Sequence, residues 1–361
     1  MVDFFLEKFS QISWLTGLPD GILFVLAVIL IAVPIFLFLA VNALVVVYAE
    51  RKISAFMQDR LGPMGQGAGL HAGKWGLLQT VADTVKLISK EDIIPAAVDK
   101  KLFISAPFIF FIGSFITFVA LPFNQTIVAA NFNIGIFYIV AVSSVGVIGI
   151  ILAGYGSNNK WSLYGAMRSA AQIISYEIPV ALSLLTVVML VGSLQMQEII
   201  KAQDGVIWGF LPHWFVFKNP FTFIAFFILF ISGVAEVNRT PFDIPEAESE
   251  LVAGFHTEYS GLRWAFFFLA EYANVFIVAG VASVVFLGGW QSPIPGFLEG
   301  SGWGLVWFLG KAIFLIFTMI WFRWTFPRLR TDQLMVMCWK YFIPIAFINI
   351  MGVGLWDLFV S

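Results

Sequence analysis

Two glutamates stand where a carboxylate is costly. Glu177 follows Arg168 and Gln172 inside one apolar run, and Glu271 lies about two turns into another. An ionisable side chain at membrane depth costs several kcal/mol, so it usually faces a protein interior or a water-filled path and marks a route for protons or ions. The plainer reading of Glu177 is a structural ion pair, for instance between Arg168 and a carboxylate elsewhere. Glu271 has no basic residue nearby in its own run. The stretch 236–263 is denser, with Glu236, Asp243, Glu246, Glu248, Glu250 and Glu258 against Arg239 and Arg263, a net charge of −4. Carboxylates crowded at low dielectric raise one another's proton affinity and titrate as a set. Acidic loops are usually solvated. Here Phe242, Ile244, Leu251, Val252, Phe255 and Tyr259 are interleaved, and Pro241 and Pro245 pin the path. The stretch is therefore expected to fold back into protein as a partly buried, proton-sharing cluster.

The elements that must carry these acids follow from composition. The 361 residues are 60% hydrophobic and 12% charged, with a mean hydropathy of +0.91. A soluble domain carries roughly 25% charged residues, so too few are present to cover an aqueous surface. Apolar runs lie at about 21–48, 102–122, 134–155, 164–193, 220–237, 264–288, 304–325 and 334–359. Each is near or above the ~20 residues that cross a bilayer as a helix. The chain is therefore expected to be an all-α integral membrane protein, a single polytopic domain of about eight transmembrane helices. The last run is interrupted by Lys340, Pro344 and Asp357. The first is too long for a signal peptide and lacks a basic flank and a cleavage site. No internal repeat or second domain is apparent.

Basic residues set the orientation. The connections 49–101, 154–168, 236–263 and 323–333 hold fifteen of the twenty Lys and Arg, and the opposite side holds Lys8, Lys201 and Lys218. The positive-inside rule then places the N-terminus outside and these four connections inside. A formal net charge of −2 gives no reason to expect nucleic acid. The outer connections 123–133 and 289–303 read as plain turns. The inner ones are chemically dense. Connection 49–101 opens with Glu50-Arg51-Lys52, crosses the glycine-rich stretch Gly62–Gly76, and ends in an amphipathic surface helix at about 75–92. There Leu77, Leu78, Val81, Val85, Leu87 and Ile88 oppose Gln79, Asp83, Lys86 and Lys90. Such a helix either packs under the bundle or forms the lip of a lateral opening. Gly67 to Lys74 is not a phosphate-binding loop: five residues separate Gly67 from Gly73, Trp75 replaces the magnesium-holding hydroxyl, and no strand precedes it.

The single cysteine, Cys338, cannot alone hold an iron–sulfur cluster, and His71, His213 and His256 all fall in loops. No metal site and no resident cofactor are expected on this chain alone.

Taken together, the motifs resemble one family. They are Glu50-Arg-Lys with Asp59-Arg-Leu-Gly-Pro63, Leu77-Leu-Gln-Thr-Val-Ala-Asp83-Thr-Val-Lys86, Gly156-Ser-Asn-Asn-Lys-Trp-Ser-Leu-Tyr-Gly165, Ser175-Tyr-Glu177, Ala235-Glu-Val-Asn-Arg-Thr-Pro-Phe-Asp243, Glu246-Ala-Glu-Ser-Glu250 and Ala270-Glu-Tyr-Ala-Asn274. In order and spacing, from about Glu50 to Lys340, they are similar to the quinone-chamber membrane subunit of respiratory complex I, the proton-pumping NADH:quinone oxidoreductase. Relative to shorter members, Gln66–Gly73 looks like an insertion, and the N-terminal ~20 residues are extra.

The resemblance implies a chain at the heel of the complex, in a bacterial cytoplasmic (inner) membrane. Its first and sixth spans and the amphipathic helix would frame the entry portal for lipid quinone. Glu50, Arg51, Asp83, Arg239, Phe268 and Arg323 would line chamber and portal. Glu177, Glu236, Asp243, Glu246, Glu248, Glu250 and Glu271 would form the acidic path that couples quinone reduction to proton translocation, with Asp243 and Glu250 gating the step. Quinone would be the substrate. Flavin and iron–sulfur clusters would reside in partner subunits: the peripheral-arm iron–sulfur and quinone-site subunits, beside smaller membrane neighbours. The equivalent subunit of an energy-converting hydrogenase and a free-standing ion transporter are the alternatives; a transporter would act alone.

Overall fold

Apolar chain placed in lipid satisfies its backbone polar groups most simply as helix, and helix dominates throughout. The structure, a computed structural model, describes residues 19–64, 74–207, 211–245, 248–294, 296–298, 300 and 302–360, with backbone alone at 248, 249 and 360. The N-terminal extension to residue 18, the Gln66–Gly73 insertion, Glu246 and the Glu248 side chain lie outside the described residues.

In chain order the main helices are α1 Asp20–Met57, α2 Gln79–Ser89, α3 Lys100–Thr117, α4 Gly135–Gly156 and α5 Lys160–Val191. They continue with α6 Pro220–Glu236, α7 Gly261–Phe286, α8 Trp303–Thr325 and α9 Thr331–Phe359. Seven of these are long and apolar enough to cross a membrane, and α6 is a shorter apolar helix of 17 residues. Among the described residues, strand is confined to the pairing of Val206–Ile207 with Leu211–Pro212. The chain is an all-α integral membrane protein.

Two boundaries differ from the sequence reading in a way that matters. α1 was expected to end near 48 but continues to Met57, so Glu50 and Arg51 stand on a helix rather than in a connection. Nothing between 49 and 57 breaks it. It ends where Asp59 and Gly62 take left-handed backbone, and a Cβ on Gly62 would come within 2.8 Å of the Ala55 Cβ. At 38 residues α1 is about 57 Å long, well beyond a ~30 Å hydrocarbon core, so its last turns project past the lipid or the helix tilts. The surface helix α2 begins at Gln79 rather than 75, because Trp75 and Gly76 at φ 75° and 63° turn the chain first.

α7 is the centre of the bundle: 72% of its apolar window is buried, against 11% for α1 and 17% for α9. The capping box of Asn219 with Thr222, and Pro220 in the first turn, start α6. Prolines lie inside α1, α3 and α5, each freeing a carbonyl four residues back, and in α3 and α5 a tertiary partner takes that carbonyl. Pro107 in α3 frees the Phe103 oxygen, which accepts from the Tyr259 hydroxyl at 3.1 Å. Pro179 in α5 frees the Ser175 oxygen, which accepts from Cys338 Sγ at 3.0 Å. Cys338 sits in a π-helical turn, Met337–Phe342, at the interruption expected around Lys340. At the other end of the bundle, Lys311 donates to the Leu287, Gly289 and Gln291 carbonyls at 2.6, 2.9 and 2.7 Å. A cation there ties α8 to the chain leaving the C-terminus of α7, where carbonyls are left over.

Candidate functional site

Neighbouring residues on a helix point about 100° apart, and α1 uses this to split Glu50 from Arg51. Glu50 turns inward and is 8% exposed. Its Oε2 accepts from the Tyr272 hydroxyl at 2.6 Å, while Oε1 pairs with Arg323 of α8 and lies 3.7 Å from Arg239 Nη1. The Arg239 guanidinium also covers the Tyr272 ring at 4.4 Å. One carboxylate is thus set between two guanidinium groups, with side chains from α1, α7, α8 and the 236–263 connection.

Arg51 turns outward to Asp83 of α2, with Nη1 to Oδ2 at 2.5 Å. Both residues line a cavity of about 440 Å³ enclosed by α1, α2 and α7, whose other walls include Phe36, Ala40, Val47 and Phe268. From this wall a ladder of rings runs along α7. Trp264 stacks on Phe268 at 5.0 Å between centroids, and Phe268 meets Tyr272 at 4.7 Å. Spacing of four residues keeps the three on one helix face, so the cavity wall is continuous with the Glu50 cluster.

A second set of acids lies deeper. Glu271 and Glu236 line one cavity of about 40 Å³ together with Asn238 and Asn274. Glu236 and Glu177 line another of about 40 Å³ with Ser143. A water needs roughly 10–15 Å³, so each space accommodates at least one. Glu236 belongs to both, which sets carboxylates of α7, α6 and α5 in series. Glu177 Oε1 is enclosed and has no hydrogen-bond partner among the described residues.

The 236–263 connection folds back as anticipated: Phe242, Ile244, Leu251, Phe255 and Tyr259 are buried, and Val252 alone of that set is turned out. Gln172 of α5 fastens its start, donating to the Ala235 and Phe242 carbonyls at 2.7 and 2.8 Å and to Asn238 Oδ1 at 3.1 Å. Its described acids Asp243, Glu250 and Glu258, however, are held by separate partners. Glu250 is exposed and pairs with Arg168 Nη1 at 2.6 Å, and this hydrogen bond and charge hold its carboxyl below its ordinary value. Asp243 is 3.9 Å from Arg328, and Glu258 accepts from Asn159 at 2.6 Å. Glu250 and Glu258 are tethered to the N-terminal part of α5 and Asp243 to the chain between α8 and α9, and neither Asp243 nor Glu250 lines the cavities shared by Glu177, Glu236 and Glu271.

The sequence assigns no partner to three participants. It marks Gln172 only as preceding Glu177, Tyr272 only as part of the Ala270–Asn274 motif, and His256 only as a loop histidine. His256 Nε2 in fact lies 3.1 Å from Glu271 Oε1. Chain turns 15 or more residues long make these pairings, and no local spacing encodes them.

Fold and site together define a polytopic membrane protein that holds carboxylates in series inside its bundle, beside an apolar cavity walled by its first helix. The NADH dehydrogenase family profile matches residues 22–354, and the chain belongs to that family. It is 51% identical to the H-type subunit of NADH-quinone oxidoreductase from Chlorobium luteolum, over 95% of this chain and 91% of that one. The same subunit from Chlorobaculum tepidum is 53% identical over 91% and 92%, and that from Bacteroides thetaiotaomicron 47% over 93% and 92%.

Proposed function

We propose that this chain is the membrane subunit of a proton-pumping NADH:quinone oxidoreductase that admits quinone and couples its reduction to proton movement. The observation that carries this reading is the continuity from the 440 Å³ cavity, along Trp264, Phe268 and Tyr272, to Glu50 between Arg239 and Arg323. An apolar cavity walled by α1, α2 and α7 suits an isoprenoid tail, and aromatic faces suit a quinone ring. Two guanidinium groups at the far end suit oxygens that gain negative charge on reduction.

Quinone takes up two electrons and two protons to become quinol. The electrons reach it through flavin and iron–sulfur clusters of partner subunits in the peripheral arm; this chain supplies the walls and the charges. Negative charge on a reduced, unprotonated quinone draws protons towards the nearest carboxylates. Glu271, Glu236 and Glu177 then offer a stepwise path through the two small cavities towards neighbouring membrane subunits. Relatives from bacteria support placement in a bacterial inner membrane.

A photoreactive quinone analogue tests the reading in the intact complex. Labels are expected on α1, α2 or α7 around Arg51, Asp83 and Phe268; labelling of partner subunits alone would overturn it. Replacing Glu236 by Gln tests the path separately. NADH oxidation by a soluble acceptor should be unchanged while reconstituted vesicles lose most of the proton gradient, and full pumping would rule the path out.

A further inference from the structure

His256 is a histidine held in an aromatic pocket against a carboxylate of the central helix. It ends a 3-10 turn, Gly254–His256, that follows the Gly254 left-handed backbone at φ 56°. The turn is seated on α5 by glycines: a Cβ on Gly165 would come within 2.6 Å of the Gly254 Cα, so the two backbones are in direct contact. This close approach fixes the turn and hence the imidazole. The His256 ring lies 3.9 Å from the Phe255 centroid, 5.2 Å from Phe267 and 6.3 Å from Trp264, and the residue is 8% exposed. Nε2 meets Glu271 Oε1 at 3.1 Å. Among the described residues, charged and titratable groups near the pair include Glu271 itself on α7, Glu236 across the small cavity from it, and Arg239 over the next residue, Tyr272; Glu258, two residues on from His256, is engaged by Asn159.

We propose that His256 is a positioning residue for Glu271: its Nε2–H holds the carboxylate in the orientation that faces the cavity shared with Glu236. This inference rests on the reading of Glu271, Glu236 and Glu177 as a proton path. The physical ground is geometric. A glutamate has three rotatable bonds and, at the mouth of a cavity, several rotamers open to it. A fixed donor at hydrogen-bond distance from one oxygen selects among them and favours the rotamer in which Glu271 lines the cavity. An N–H donor to a carboxylate is a charge-assisted bond, stronger than a neutral one, and its loss is felt as a shift in rotamer population of about tenfold or more. The aromatic rings enclose the imidazole side of the contact. What the position requires is therefore an N–H, whether or not the ring itself carries a proton.

Comparison of His256→Gln with His256→Phe in the intact complex, reconstituted in vesicles, tests this. Glutamine places a side-chain N–H donor at the reach of the histidine Nε2, while phenylalanine fills the pocket without one; His256→Met serves as the donor-free variant if the phenylalanine prevents assembly. Protons translocated per NADH and the NADH:quinone rate are read together, with soluble-acceptor NADH oxidation as the measure of an intact peripheral arm. The glutamine variant is expected to retain most of the coupled pumping, and the donor-free variant to lose most of it at a quinone-reduction rate that falls less. Full pumping by the donor-free variant would overturn the inference. Equal loss in both variants would also overturn it, since a hydrogen bond alone would then be insufficient. The Glu236→Gln variant separates the two readings. If that variant pumps normally, the path itself is wrong. If it is uncoupled while donor-free His256 variants pump normally, only the role of His256 is wrong.

Discussion

Tyr272 on α7 donates its phenolic hydrogen to Glu50 on α1 at 2.6 Å, across 222 residues of sequence. The contact joins the most buried helix of the bundle to one of the most exposed, at the point where the aromatic ladder ends. It also places a neutral donor and two guanidinium groups on one carboxylate, so Glu50 is held whichever of its neighbours engages a ligand.

Removing that donor should weaken the site without collapsing it. A hydrogen bond to a charged group is worth about 1.5–3 kcal/mol, and a tenfold change corresponds to about 1.4 kcal/mol. Tyr272→Phe is expected to lower kcat/KM for quinone by about tenfold, since the two arginines still hold Glu50. NADH:quinone assays with a soluble-acceptor control check this, and an unchanged kcat/KM would remove Tyr272 from the site.

Filling the lateral cavity should act on entry rather than chemistry. Ala40 lines the 440 Å³ space opposite α2 and α7. Ala40→Trp places an indole where a tail would pass, and the space absorbs it without the strain of overpacking a filled core. The expected outcome is a raised KM for long-chain quinone with kcat less affected, and a smaller effect on a short-chain analogue. Steady-state kinetics with the two quinones decide it.

The two carbonyls freed by prolines and taken by tertiary partners predict graded stability losses. Orphaning a buried acceptor costs about 1–3 kcal/mol. Tyr259→Phe, which abandons the Phe103 oxygen below Pro107, should lie towards the upper end. Cys338→Ala, which abandons the Ser175 oxygen, should lie at the lower end because a thiol is a weak donor, and Cys338→Ser should restore it. The temperature of half-inactivation of the complex orders the three.

The exposed Glu250–Arg168 pair gives a pH dependence of known sign. Arg168 lowers the Glu250 pKa on folding, so the pair contributes stability above the ordinary carboxylate pKa of about 4.3. That contribution is lost as pH falls through the lower folded value. Half-inactivation temperatures of the parent and Glu250→Gln complexes should differ slightly at neutral pH and converge in acid; the difference is small because both charges meet solvent. A gap that widens as pH falls would contradict the assignment.

The sequence alone determined the class of this protein. Its apolar runs, its few charges and the costly placement of Glu177 and Glu271 follow from the energetics of lipid, which act on each segment separately. The motifs that led to the family were also local, each a short string around a charged or proline residue. Only the tertiary structure decided which charges share a space. It put Glu50 and Arg51 on different faces of a helix that outlasts its apolar run, grouped Glu177, Glu236 and Glu271 around two small cavities, and sent Glu250 and Asp243 to separate arginines. It also supplied Tyr272, Gln172 and His256 as partners. Charge density along a chain fixes how many acids a segment carries. Which of them meet depends on the side chains that tether the segment, and those arrive from distant parts of the sequence.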